Sequence, residues 1–451
     1  MTQPLANRLA EYACKLRFED LPQPVVHEVK RRFIDSLATA TGAMEADAYA
    51  IAKRCAERVQ GQPGATLLGG GRSSAEWATF VNGVLIRYLD YNDTYLSLEP
   101  AHPSDNLAAV LAVGDMVQAG GRELITAAVL AYEIQCRLCD AASLRKHGWD
   151  HITYGALSSA LAACKLLRLD AGRATHAVGL AGVCNVALRQ TRAGELSMWK
   201  GCAFANAARN GVFAATLASE GMTGPAPIFE GELGIMKLLT GPFELPFLGG
   251  EGRPYMITQT YLKFWPAEYH SQSAIEAALQ LRPEVGDVRK VVSIDLYTFD
   301  AAVDIIGKDP EKWRPRTRET ADHSLPYCTA VALADGQITH AQFEPKRFTD
   351  PVLLDLVAKV RIHRDAELTS RYPAGIPTRM IIQLADGRRL MREVEFPRGH
   401  ARNPLTDAEV EQKFRQLVEP RYGKDRAGHV LRICWELEKL KAAGELVRLL
   451  D

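Results

Sequence analysis

Nothing in the sequence approaches the ~18 consecutive apolar residues of a membrane span. Net charge is missing too. The 54 basic residues are matched by 54 acidic ones, which leaves no broad field for nucleic acid or an anionic membrane. An anionic substrate therefore has to be held by local cations. The stretch from Met1 to Phe18 carries Lys15, Arg17 and Glu11 but no apolar h-region and no small-residue cleavage site, so no signal peptide is expected. Nine cysteines, an odd number, are scattered through apolar helical stretches (Cys55, Cys164, Cys184, Cys202). That pattern reads as free thiols in a reducing compartment, and the cytoplasm is the expected location.

Cofactor signatures are equally scarce. Cys136 and Cys139 form a CxxC inside a helical run with no second pair or nearby histidine, which speaks against zinc or an iron–sulfur cluster. Gly69-Gly70-Gly71-Arg72 lacks the Gly-Lys-Ser/Thr of a phosphate loop, and no GxGxxG follows a strand. There is no HExxH and no GxSxG. Dinucleotide, ATP and metal chemistry are unsupported, and no cofactor is expected. Repeats and low-complexity tracts are absent as well.

What is present is an ordinary globular composition, 47% apolar and 24% charged, long enough for two or three domains. From Pro4 to about Thr240, Ala, Leu and Val recur at three- and four-residue spacing, as in Leu124 to Leu138, Tyr154 to Leu167 and Ala203 to Leu217. The last two are rich in Ala and Ser, which lets helices approach closely in a buried bundle. Gly221-Met222-Thr223-Gly224-Pro225 reads as a helix stop. After Asp287 the period changes. Lys290 to Thr298 alternates, Lys359 to Arg364 is a second strand, and Arg379 to Leu384, Asp386-Gly387 and Leu390 to Phe396 form a hairpin. From Thr406 the chain is helical again, with Thr406 and Glu409 as a capping box. The expected fold is mainly α with a smaller α+β domain. Residues 1–268 and 397–451 form the large helical domain and 269–396 the α+β insert, with strands confined to roughly 288–396.

Five polar constellations interrupt the apolar pattern: Asp90 to Asp105, His147 to Tyr154, Arg189 to Gly201, Lys263 to Gln272, and Thr317 to Tyr327. Each alone has a bland reading. A histidine at a helix start is usually a cap or a satisfied core group, an isolated lysine a surface charge, and Arg189 and Arg192 surface charges or partners in structural pairing. Repetition changes the weight. His, Lys, Tyr and carboxylates recur at element boundaries beside Gly, Pro and Trp, the composition of a pocket that handles a polyanion by acid–base chemistry.

Together these segments resemble the MmgE/PrpD family, above all its 2-methylcitrate dehydratase branch. The resemblance rests on Arg87 to Thr94 with Ala101 to Asp105, Trp149 to Tyr154, Trp199-Lys200-Gly201 and Gly221 to Pro225. It continues through Phe264 to Gln272, Thr317 to Tyr327, and Pro397 to His400 with Asn403 to Thr406. It implies a homodimer, a site between the two domains, and cofactor-independent action on di- or tricarboxylates of the kind met in propionate catabolism. The family's decarboxylases carry a histidine where this chain has Glu268, so Glu268 with His270 resembles the dehydratases.

On that reading the enzyme dehydrates a 2-hydroxy tricarboxylate such as 2-methylcitrate or citrate. Lys200 and Lys263 stabilise the carboxylate and aci-carboxylate, His102 and His151 form the acid–base pair, and Asp90 orients or charges one of them. Tyr327 is a proton donor or carboxylate contact, and Thr94, Glu268, His270 and His323 bind substrate. The scaffold alone does not choose the reaction. A cis-aconitate-type decarboxylase, a dicarboxylate epimerase, an aconitase-like iron–sulfur hydro-lyase and a non-enzymatic polycarboxylate binder stay open.

Overall fold

The computed structural model describes residues 3–451. Its buried apolar residues divide into two main cores. The first runs from Leu5 to Leu262 and resumes from Leu405 to Leu450; the second runs from Trp265 to Val394. A small third cluster (Leu96, Tyr261, Tyr269, Phe299, Ala302, Ile376) lies where they meet. The fold is thus mainly helical, built from both chain ends, with a smaller α+β part inserted. Among the described residues no helix is long and apolar enough to cross a membrane.

The helices Gly121–Ala141, Ile152–Leu166 and Trp199–Ser219 account for the three periodic stretches, the last two of them rich in small residues. Their closeness has a direct cause. A Cβ on Gly155 would lie 2.3 Å from the Phe204 ring, and one on Gly83 2.8 Å from the Ala205 Cβ. Gly83 belongs to the helix Ala75–Tyr88, which the 199–219 helix therefore meets almost backbone to backbone. The 199–219 helix ends just before Gly221, whose φ is +95°.

The α+β part carries one four-stranded sheet. Its strands are β3 (Val291–Thr298), β4 (Val360–Arg364), β5 (Thr378–Leu384) and β6 (Arg389–Val394), in the order β4-β3-β5-β6. β3 pairs parallel with β4 and antiparallel with β5, and β5–β6 is the hairpin turned by Gly387 at φ +88°. The helical part departs from expectation in one place. β1 (Ala65–Thr66) and β2 (Arg72–Ser73) make a two-residue ladder, so strands are not confined to the insert. Gly69, Gly70 and Gly71 all take positive φ, and that reversal folds the flanking residues back into register.

The chain returns from insert to helical part through Gly399, at φ +96°, before the Thr406 cap and the helix Asp407–Trp435, which is interrupted at Gly423. A Cβ on Gly399 would lie 1.9 Å from the carbonyl oxygen of Leu262. Gly399→Ala therefore combines a left-handed backbone with a backbone clash. It is expected to cost at least about 2 kcal/mol in denaturant unfolding. Unchanged stability would mean that this crossing is not held as described.

Candidate active site

The helix Ala75–Tyr88 stops two residues short of Asp90, which takes φ +51° and bonds its N–H to the Arg87 carbonyl (3.0 Å). Aspartate tolerates this left-handed turn, and the turn folds its carboxylate back onto the Arg87 guanidinium, with which it is ion-paired. A pair of backbone hydrogen bonds between Thr94 and Tyr261 (2.8 Å each) lays the next loop alongside residues 261–263. Lys263 thereby reaches Asp90 twice, at the carboxylate (3.0 Å) and at the carbonyl oxygen (2.8 Å). Lys200 opens the 199–219 helix, and Gly201 beside it packs flat on Tyr88. Its Nζ lies 3.6 Å from Asp90 Oδ2 and 3.8 Å from Asp322 Oδ1. The Asp90, Lys200 and Lys263 side chains are 1% exposed or less.

The insert closes this cluster. The Arg318 guanidinium donates to the carbonyls of Tyr88 (3.4 Å) and Leu89 (3.2 Å), and the Tyr88 hydroxyl donates to Glu319 (2.9 Å). His323 Nε2 stands 3.7 Å from Asp90 Oδ2, while its Nδ1 is 2.5 Å from Asp322. Glu268 accepts from His270 N–H (2.8 Å) and His270 Nδ1 (2.7 Å), and its own N–H donates to the Asp322 carbonyl (2.8 Å).

Two more histidines face each other beside the cluster, His102 and His151, with ring centroids 5.9 Å apart. His102 Nδ1 is 2.7 Å from the Asp93 carbonyl and 3.2 Å from the Thr94 hydroxyl. A carbonyl only accepts, so Nδ1 carries the hydrogen and Nε2 is left as the basic nitrogen. His151 stands at the start of the 152–166 helix with Nδ1 3.0 Å from Asp150 and Nε2 3.5 Å from the Arg192 guanidinium. A guanidinium only donates, so His151 also holds its hydrogen on Nδ1.

Burial sets the charge states. Burial alone would push the Asp90 carboxyl up, but Arg87, Lys200, Lys263 and His323 hold it well below its ordinary value. Burial brings Lys200 down to about 8 against the pull of Asp322 and Asp90, and it lowers Lys263 as well. It lowers His151 to about 3, and His102 and His323 well below the usual imidazole range, aided by neighbouring cations. Against burial, His270, His323 and Lys263 keep Glu268 ionised at about 2. Neutral imidazoles thus stand beside charged ammonium groups, acceptors and donors within one dry site.

The structure therefore brings together Asp90, Thr94, His102, His151, Lys200, Lys263, Glu268, His270 and His323. It corrects two expectations. Tyr327 lies in the helix Leu325–Asp335 with its hydroxyl donating to the Gln342 carbonyl (2.7 Å) and its ring against Phe343 and Phe348. Its proton is committed there, which removes it as a donor to the cluster. Nor does Asp90 orient His102 or His151: the Asp93 carbonyl holds the first ring, and the Arg192 guanidinium meets Nε2 of the second. Arg87 and Asp322 lie within motifs visible in the sequence but carry no site role there. The Arg87–Asp90 spacing of three, at a helix end, was the available signal. Arg192 pairs with Asp150 at 2.8 Å, which selects structural pairing over the surface-charge alternative left open by the sequence.

Among the described residues, one group of metal-ligating side chains comes together: Asp90, Asp322 and His323, within 4.8 Å. Arg87, Lys200 and Lys263 already crowd the same carboxylates, so a divalent cation would be repelled by three positive charges in a dry site.

Comparison with known proteins gives the chain's family. Residues 7–248 match the MmgE/PrpD N-terminal domain and residues 265–437 the MmgE/PrpD C-terminal domain. The chain is 31% identical over 401 residues to a 2-methylcitrate dehydratase of Cupriavidus necator, covering 81% of this chain and 79% of that one. It is 30% identical over 360 residues to a 2-methylcitrate dehydratase of Escherichia coli K12 (72% and 71% covered). It is 31% identical over 385 residues to a fungal alkylcitrate dehydratase (78% and 74% covered). Fold and relatives define an enzyme of the hydro-lyase type. The chain belongs to the MmgE/PrpD family.

The lowered Lys200 value has a consequence for stability. Between about pH 8 and its ordinary 10.5, the unfolded chain holds this proton and the folded chain does not. Folding stability then rises with pH across that window. The stability of the wild type relative to Lys200→Met should increase from pH 8 to 10.5 in denaturant titrations, whereas parallel curves would return Lys200 to an ordinary exposed value.

Proposed function

We propose that this enzyme dehydrates 2-methylcitrate to 2-methyl-cis-aconitate, with citrate as a second candidate substrate, and so serves propionate catabolism. One observation carries the chemistry: a neutral histidine with a free Nε2, His102, in the field of the buried Lys263 ammonium, in a cluster that also holds Lys200. The elimination breaks a C–H bond next to a carboxylate and a C–O bond on the neighbouring carbon, forms the C=C bond and releases water. His102 Nε2 takes the C–H proton. Lys263 with Arg87 faces the negative charge that develops on the adjacent carboxylate. Lys200, whose Nζ is buried without a hydrogen-bond partner, protonates the departing hydroxide. His151 and Thr94 contact substrate from the His102 side, and Glu268, His270 and His323 from the opposite wall.

A homodimer in the cytoplasm completes the reading. Val186, Leu188 and Trp199 line one concavity with Asn206 and Asn210 on the helical part, and Leu188 is 63% and Trp199 46% exposed. Apolar surface gathered in this way suits a self-complementary contact.

The direct test incubates the pure protein with 2-methylcitrate, citrate, cis-aconitate and isocitrate, following enoate absorbance and identifying products. Formation of 2-methyl-cis-aconitate, undiminished by a chelator, is the expected result. Release of carbon dioxide from cis-aconitate would replace the dehydratase with a decarboxylase, and loss of activity on chelation would bring back a metal-dependent hydro-lyase.

The charge states fix the pH profile. His102 must be neutral to accept, so the acid limb should lie below its ordinary 6.5. Lys200 must be protonated to donate, so the alkaline limb should fall near 8. Lys200→Met should lose two to three decades in kcat, about 3–4 kcal/mol of transition-state stabilisation, together with that alkaline limb. Near-normal turnover with the limb intact would move the proton donor elsewhere.

A further inference from the structure

We propose that Lys413, on the C-terminal 407–435 helix, is a positioning residue that sets the distance between Asp90 and Lys263. The inference rests on the reading that this pair belongs to the reacting centre. Lys413 Nζ donates to the carbonyl oxygen of Tyr91 (2.7 Å) and to that of Lys263 (3.0 Å). One acceptor adjoins Asp90 in sequence and the other is Lys263 itself. Its third contact is Asp35 Oδ1 at 2.6 Å, from the helix Gln23–Gly42. The Tyr91 ring lies 3.7 Å from the ammonium.

Two donors of the ammonium are spent on the carbonyls, and its charge is met by Asp35. These contacts tie together four separate parts of the chain: an N-terminal helix, the loop after the 75–88 helix, the loop that carries Lys263, and the C-terminal helix. Lys413 is 5% and Asp35 1% exposed, so water does not substitute for these bonds. Lys413 touches neither reacting atoms nor the Asp90 carboxylate. It holds the backbone on each side of the Asp90–Lys263 contact, and a buried pair of this kind is sensitive to sub-ångström displacement.

Lys413→Met alone would leave Asp35 as an unpaired buried carboxylate, so the test uses the double variant Asp35→Asn/Lys413→Met, with Lys413→Arg as the charge-retaining companion. Both are compared with the wild type in steady-state kinetics on the tricarboxylate that the wild type turns over, and by crystallography. We expect the double variant to fold, to lose about 10²-fold in kcat with KM changed less than about threefold, and to show Asp90 and Lys263 separated beyond their 3.0 Å contact. Lys413→Arg, which keeps the charge and the donors on a longer fork, should lose less kcat than the double variant. If the double variant fails to fold, Lys413→Arg decides: a drop in kcat with KM held and a displaced Lys263 supports the proposal, and unaltered kcat and geometry overturn it. A folded double variant with kcat near wild type and the Asp90–Lys263 contact intact overturns it as well. If the wild type turns over none of the tricarboxylates, the reaction proposed above falls, and the crystallographic distance alone still decides whether Lys413 positions the pair.

Discussion

The buried carboxylate of Asp90 is the constraint around which the site is built. An isolated carboxylate in a dry interior would take up a proton, and an isolated ammonium would lose one. Asp90 stays ionised because Arg87, Lys200 and Lys263 converge on it, and those cations are tolerated because Asp90 and Asp322 are there. The fold supplies this convergence from four places. A helix end provides Arg87 and Asp90, a helix start provides Lys200, a loop pinned by the Thr94–Tyr261 bonds provides Lys263, and the insert provides Asp322 and His323. Glycines at 83 and 201 are what allow the two helices to come close enough.

The same dryness separates the two functions the proposed elimination needs. Imidazoles lose their charge more readily than ammonium groups under burial, so His102 and His151 are neutral acceptors while Lys200 and Lys263 remain donors near neutral pH. Two fixed tautomers sharpen the division, since the Asp93 carbonyl and Arg192 each dictate which ring nitrogen carries the hydrogen. Acid and base then differ because one shared burial acts on two residue types of different intrinsic strength, imidazole at 6.5 and ammonium at 10.5.

Much of this architecture can be read from the sequence because period and punctuation are local signals. The change near Asp287 precedes β3 at Val291, Asp386-Gly387 turns the β5–β6 hairpin, and Thr406 with Glu409 caps the last long helix. β1 and β2 escaped because a two-residue ladder has no period; only the three glycines marked it. In the site, the polar clusters between apolar runs pointed to the residues that do meet, but pairings across the chain carry no sequence signal. Asp90 is expected from sequence to orient His102 or His151, and it lies instead among Arg87, Lys200 and Lys263, with His323 as the imidazole that reaches its carboxylate. Tyr327 shares a motif with His323, yet the Ser324 cap starts a new helix between them and turns the tyrosine into the insert's core. Lys413 is one lysine in a charged amphipathic helix, and only tertiary structure distinguishes it.

The most direct measurement is a double-mutant cycle in stability between Asp90→Asn and Lys200→Met, with folding free energies from denaturant unfolding near neutral pH. If Asp90 is the counter-charge for a dry ammonium, Asp90→Asn alone should cost about 3–5 kcal/mol, because it leaves cations buried and unpaired. Adding Lys200→Met should then recover part of that loss, giving a coupling energy of one to a few kcal/mol. Strictly additive losses would show that Asp90 and Lys200 do not share a dry site, and would contradict the account.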